Sequence, residues 1–254
     1  MMDFARFSIE GKTAIVTGAG TGLGQAMAVG LAEAGAQIVG VDYIPMNETD
    51  QAVSAMGSQF LGIEANLSTT EPLPGIIEAA LKRFETVDIL VNNAGIIRRH
   101  DSIDFTEKDW DDVMNLNLKT VFFFSQAVAK QFLAQATPGK IINIASMLSF
   151  QGGIRVPSYT ASKSGVMGLT RLLACEWAKH RINVNAIAPG YMATNNTEAL
   201  RADTARSAEI LGRIPAGRWG LPEDLRGPVI FLASAASDYV NGYTIAVDGG
   251  WLSR

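Results

Sequence analysis

Tyr159 and Lys163 stand four residues apart in Pro157-Ser-Tyr159-Thr-Ala-Ser-Lys163, a spacing that stacks two side chains on one helical face. A phenol and an ammonium would then share one small volume. An unperturbed phenol gives up its proton near pH ~10, too high for a base at neutral pH. A nearby fixed positive charge favours the phenolate and lowers that value. The expectation is a tyrosine base tuned by Lys163. Ser146 closes the run Lys140-Ile-Ile-Asn-Ile-Ala-Ser146, which reads as a strand entering a loop. Its hydroxyl could donate to a substrate oxygen. The same Tyr/Lys spacing arises by chance on ordinary surface helices, so its weight depends on what surrounds it.

A second constellation would hold a cofactor. The β-branched run Lys12-Thr-Ala-Ile-Val-Thr17 leads into Gly18-Ala-Gly-Thr21-Gly22-Leu23-Gly24 and then a helical stretch from Gln25 to Ala34. Strand, glycine turn and helix in that order make a phosphate-binding context. Glycines let the backbone approach a diphosphate, and the helix start offers unpaired N–H groups and a partial positive charge. The next strand, Gln37-Ile-Val-Gly-Val-Asp42, ends in a carboxylate about twenty residues further on, where it can accept from the adenosine ribose hydroxyls. That carboxylate repels a 2′-phosphate, and no Arg or Lys at Ala19, Gly20, Thr21 or Tyr43 offsets it. The expected cofactor is NAD rather than NADP. The plain alternative for Asp42 is a solvated acid in a turn.

The elements that must position these groups alternate along the chain. Strand-like runs at 12–17, 37–42, 59–64, 87–91, 140–145, 182–188 and 243–247 are separated by helical stretches. These helices fall at 25–34, 47–56, 72–84, from Thr106 to before Pro138, 159–180 and 222–235, with Asp109 a capping partner for Thr106. Such alternation implies α/β architecture with parallel strands and right-handed crossovers. Without a linker, repeat or low-complexity tract, residues 1–254 read as one domain. The pattern lapses at about 190–215, a polar excursion with helical stretches that leaves a strand's C-terminal edge. It reads either as a mobile substrate lid or as a static helical pair on the surface.

Composition narrows the classes. The chain has 254 residues, 48% hydrophobic and 18% charged, with a formal net charge of −4. This is enough to bury a sizeable core, and the acidic balance argues against nucleic-acid or anionic-membrane partners. A single cysteine, Cys175, excludes an internal disulfide and fits a reducing compartment. Lying in the apolar run Leu172-Leu-Ala-Cys175, it is expected to be a buried, inert thiol. With His100 and His180 as the two histidines, no metal site is expected. The first ten residues show no apolar signal core, and no apolar run is long enough to span a membrane. The expected location is the cytoplasm.

In order and at matching spacing, Thr17-Gly18-x-x-x-Gly22-x-Gly24, Asn92-Asn93-Ala94-Gly95, Ser146, Tyr159-x-x-x-Lys163 and Pro189-Gly190-x-x-x-Thr194 resemble the motifs of the short-chain dehydrogenases/reductases. The resemblance spans essentially the whole chain. It implies a single-domain, Rossmann-type doubly wound sheet of seven parallel strands with helices on both faces, and a homotetramer. It implies Asn117 as a fourth catalytic residue beside Ser146, Tyr159 and Lys163. It also implies cofactor contacts from Gly18, Thr21, Gly22, Leu23, Gly24, Asp42, Asn66, Leu67, Asn93, Ala94, Gly95, Tyr159, Lys163, Pro189, Gly190 and Thr194. Asn66 departs from the family's usual Asp. Its amide oxygen can still accept from the adenine amino group, so a weaker adenine contact is expected.

Three segments (110–117, 146–159 and 188–196) are similar to family members that oxidise a hydroxyl of a sugar acid. A sugar-acid carboxylate favours an arginine fork. Arg155 is the first candidate because its loop joins Ser146 to Tyr159; Arg98, Arg99 and His100 follow the Asn92–Gly95 turn. Other substrates stay open: a 3-oxoacyl carrier-protein reductase, a polyol or steroid dehydrogenase, or a non-catalytic NAD-binding regulator.

Overall fold

Ala14, Ile15 and Val16 are wholly shielded from solvent, because β1 (Thr13–Thr17) runs through the middle of a seven-stranded sheet. The computed structural model describes residues 4–254, with the backbone alone for Phe4 and Asn196. Residues 1–3, the start of the acidic N-terminal stretch, lie outside the described residues. The other strands are β2 (Gln37–Asp42), β3 (Phe60–Glu64), β4 (Ile89–Asn92), β5 (Gly139–Ile144), β6 (Ile182–Pro189) and β7 (Thr244–Val247). Their order is β3-β2-β1-β4-β5-β6-β7, and every neighbouring pair is parallel.

Side chains alternate across a strand, and β1 shows the consequence. Ala14 and Val16 pack with Met27 and Leu31 of α1 (Gly22–Glu33) and with Val229 and Leu232 of α9 (Arg226–Ala233). Ile15 faces the opposite layer, against Ile76 of α3 (Leu73–Phe84), Phe124 and Phe132 of α5 (Thr120–Gln135) and Leu173 of α6 (Pro157–Trp177). A sheet covered on both faces explains why its strands read as continuous apolar runs. Each fully buried side chain of this size contributes about 1.5–3 kcal/mol relative to exposure.

The sequence differs from the structure in two places that matter below. The long helix expected from Thr106 onward is continuous in its backbone angles but carries a π turn at Asn115–Lys119 between α4 (Glu107–Met114) and α5. Thr106 caps α4 as expected, its hydroxyl accepting the Asp109 N–H at 3.1 Å. Cys175 is exposed, not buried. The apolar run around it straddles two helical faces: Leu173 and Ala174 turn inward, while Leu172 and Cys175 turn outward. Among the described residues no helix is long and apolar enough to cross a membrane.

Candidate active site

The strand order reverses beside β1: the chain steps outward through β2 and β3, then returns to place β4 on β1's other side. Loops leaving β1 and β4 therefore diverge, and a crevice opens at their C-terminal ends. These two loops are laced together. The Thr17 hydroxyl accepts the N–H groups of Asn93 and Ala94 at 2.9 Å each, and Asn93 Nδ2 donates to the Thr17 carbonyl at 2.8 Å. Asn92, one residue earlier, is structural: it is buried and donates to Asn143 on β5 at 2.9 Å.

The glycine loop has no room for side chains. A Cβ on Gly24 would lie 1.9 Å from the Gly18 carbonyl oxygen, and Gly18 has φ +66°. The first turn of α1 thus closes directly onto the loop, leaving bare backbone facing the crevice. Asp42 ends β2 nearly buried, its oxygens accepting Gly20 N–H at 2.8 Å and Tyr43 N–H at 2.7 Å. It is a fixed, desolvated carboxylate rather than a free one in a turn. Each oxygen keeps a further lone pair for a ribose hydroxyl. Bare backbone at a helix start, followed by that carboxylate, fits a nicotinamide dinucleotide. Asn66 is exposed, and its amide oxygen already accepts Ser68 N–H at 3.0 Å. One of the two lone pairs expected to serve adenine is therefore occupied.

The cavity is about 1010 Å³. It is lined by every residue singled out above as catalytic, cofactor-binding or substrate-binding except Asn117, Pro189 and His100. Pro189 is buried at the end of β6. Asn117 lies behind the wall, fully buried, in the π turn. Its amide accepts Ile96 N–H and donates to the Ile96 carbonyl, both at 2.9 Å. A π turn leaves backbone groups off the regular helical ladder, and such turns concentrate at functional sites. Periodicity alone could not reveal it, because helical spacing continues on both sides.

Tyr159 and Lys163 share the inner face of α6, whose first turn begins with Pro157. Ser146 is pinned at the end of β5 by its side-chain bond from Leu148 N–H at 3.2 Å. Tyr159 is half-buried, and its phenol stays above the usual value, because burial raises it more than a hydrogen bond from Ser146 and the charge of Arg99 lower it. Lys163 is tethered to the backbone at the end of β5. Its Nζ lies 5.6 Å from the centre of the Tyr159 ring, but it donates to the Ile144 carbonyl at 2.6 Å. Burial lowers its own pKa to about 8, so at neutral pH it is still mostly protonated. The charge of Arg99, which no spacing rule connects to Tyr159, acts on the phenol as well.

The outer part of the cavity rests on weaker contacts. Arg155 is exposed and pairs with Asp101 at 3.1 Å, while its carbonyl accepts His100 N–H at 3.0 Å. It staples two loops together and has less freedom to meet a ligand than expected. Arg98 is held by Asp109 and Asp112 at 3.5 Å each. The excursion after β6 forms α7 (Glu198–Ala202) and α8 (Thr204–Arg213). Helix α7 buries no residue, whereas α8 is anchored by Ile210, which packs with Met147, Ile214 and Trp251. Sequence reasoning missed Arg206, Glu209, Arg213 and Trp251, all of which line the cavity. The helical recurrence of residues 206, 209, 210 and 213 was a readable sign of one face; Trp251 carried no sign.

Comparison with known proteins bears on this site. The short chain dehydrogenase family model matches residues 12–205. The chain is 69% identical over 253 residues, covering 100% of both chains, to a 2-dehydro-3-deoxy-D-gluconate 5-dehydrogenase of Escherichia coli (strain K12). It is 70% identical over 248 residues, 98% of each chain, to the enzyme of that name from Dickeya dadantii (strain 3937). Among solved structures it is similar to a gluconate 5-dehydrogenase from Burkholderia cenocepacia J2315 in complex with NADP and tartrate. That likeness has a TM-score of 0.92 and 41% identity, covering 98% of each chain.

Proposed function

The chain belongs to the short-chain dehydrogenase family and is an oxidoreductase acting on CH–OH groups; on that footing we propose that it oxidises one hydroxyl of a sugar acid with NAD. The specific reading is 2-dehydro-3-deoxy-D-gluconate to 3-deoxy-D-glycero-2,5-hexodiulosonate, a step in pectin and uronate breakdown in the cytoplasm. Oxidation of 2-deoxy-D-gluconate at C3 is the second reading within the same substrate class. What carries the proposal is Ser146, Tyr159 and Lys163 meeting beside a dinucleotide cradle, in a chain whose full-length relatives bear that substrate's name.

When bound, the nicotinamide supplies the hydride acceptor. Tyr159, as phenolate, takes the hydroxyl proton, and Ser146 orients the substrate oxygen. The Arg99 charge and the Ser146 hydrogen bond favour that phenolate against the effect of burial. Lys163, fixed at the end of β5 by the Ile144 carbonyl, is positioned to donate to the nicotinamide ribose. Asn117 holds the backbone of the loop after β4 in place, and a water on it would relay the proton outward.

The NAD preference rests on Asp42, whose fixed charge opposes a 2′-phosphate. Arg155 and Arg99 are proposed as substrate contacts, with Arg99 at the reacting end. We also read the chain as a homotetramer. The exposed Phe123 and Leu172 and a groove lined by Leu118, Phe122 and Gly168 are the faces that copies would cover. The decisive experiment compares initial rates with NAD and NADP on 2-dehydro-3-deoxy-D-gluconate, with a polyol and a 3-hydroxybutyryl thioester as controls. Faster turnover of either control than of the hexonate refutes the substrate assignment, and faster turnover with NADP refutes the cofactor assignment.

A further inference from the structure

Of the guanidinium groups lining the cavity, Arg98, Arg155 and Arg206 are held by acids: Asp109 with Asp112, Asp101, and Glu209 respectively. Arg99 acts on Tyr159. Arg213, at the end of α8, differs from all of these. Among the described residues it meets no carboxylate, and its Cζ lies 4.2 Å over the ring of Trp251. A guanidinium seated on an indole face is attracted to the ring, while its N–H donors point outward from the guanidinium edge. That edge matches both oxygens of a carboxylate.

The platform is rigid. Trp251 is 4% exposed, and its Nε1 donates to Gln151 Oε1 at 3.2 Å. It packs with Met147, Ile210 and Ile214, and its ring meets that of Tyr191 at 4.8 Å. Met147 directly follows Ser146, so the platform is joined to the loop that orients the substrate oxygen. Both Arg213 and Trp251 lie beyond residues 12–205, the part matched by the general family model.

We propose that Arg213, seated on Trp251, grips the carboxylate of the substrate while Ser146 and Tyr159 hold the reacting hydroxyl. The inference rests on the sugar-acid reading above and adds the residue that recognises the acid. Because Arg213 terminates α8, the same contact ties this helix to the bound ligand.

The test is calorimetry on enzyme saturated with NADH, where a substrate alcohol binds without being oxidised. The titrants are 2-dehydro-3-deoxy-D-gluconate and its C1 amide. Arg213→Ala is expected to weaken the acid by about 10- to 100-fold and the amide by less than about threefold, the range for a lost charge-assisted bond. Arg213→Lys should fall between, since it keeps the charge but loses the fork. Arg213 is exposed, so these variants do not threaten the core, and NADH fluorescence checks that the cofactor still binds. Equal weakening of acid and amide, an unaffected acid, or a wild type that does not prefer the acid overturns the proposal. Turnover with NAD separates the two claims. Arg213-dependent binding without oxidation fells the sugar-acid reaction and leaves the grip standing; oxidation with Arg213-independent binding does the reverse.

Discussion

The two walls of the cavity are built by different means. On the nucleotide side, positions are set by backbone: Gly24 closes on Gly18 with no space for a methyl group, and Asp42 and Thr17 are locked by main-chain N–H groups. On the acid side, positions are set by long side chains: Arg155 on Asp101, Arg206 on Glu209, Arg213 on Trp251. Exposed ion pairs such as the first two contribute only about 0–1 kcal/mol. The first wall suits a ligand that never changes. The second can be re-specified by exchanging side chains, without disturbing the sheet.

The sharpest separation of the walls comes from the group between them. Tyr159→Phe should cost about 10²–10⁴ in kcat, the usual worth of a general acid/base, with NADH affinity near wild type by fluorescence titration. Near-normal turnover would remove Tyr159 from its role. Gly24→Ala should come next, weakening NADH by about 10- to 100-fold, because overpacking against backbone typically costs about 1–3 kcal/mol. If KM for the sugar acid rose as much as the NADH Kd, the walls would not be independent. Arg155→Ala should raise the sugar-acid KM only about two- to fivefold, in keeping with an exposed pair; a far larger rise would make Arg155 the main acid contact. The smallest effect is a displacement in pH. Arg99 lowers the Tyr159 pKa, so Arg99→Gln should raise it. The pH at which oxidation becomes half-maximal then moves upward, and a downward or absent shift would show that this charge does not reach the phenol.

Most of the nucleotide wall was legible in the sequence because its determinants are local. Glycines between a strand and a helix, and an acid at the next strand's end, require only neighbouring residues to be understood. The same holds for Tyr159 and Lys163 on one helical turn. What spacing could not supply was the direction in which Lys163 points: its ammonium turns to Ile144 on a neighbouring strand, a contact set by packing. The π turn holding Asn117 was invisible for a related reason, since one inserted residue leaves the apolar pattern on both sides intact. Trp251 was the hardest to foresee. It reaches the cavity only because β7 brings the chain back beside β6, and nothing near it in sequence says so.

Cys175 combines two facts: it is the chain's sole cysteine, and it stands on the outward face of α6. A maleimide dye will therefore attach at one known point without any engineering, on the side of the helix turned away from Tyr159. Labelling speed measured across a dilution series becomes a direct gauge of whether another copy shelters that face.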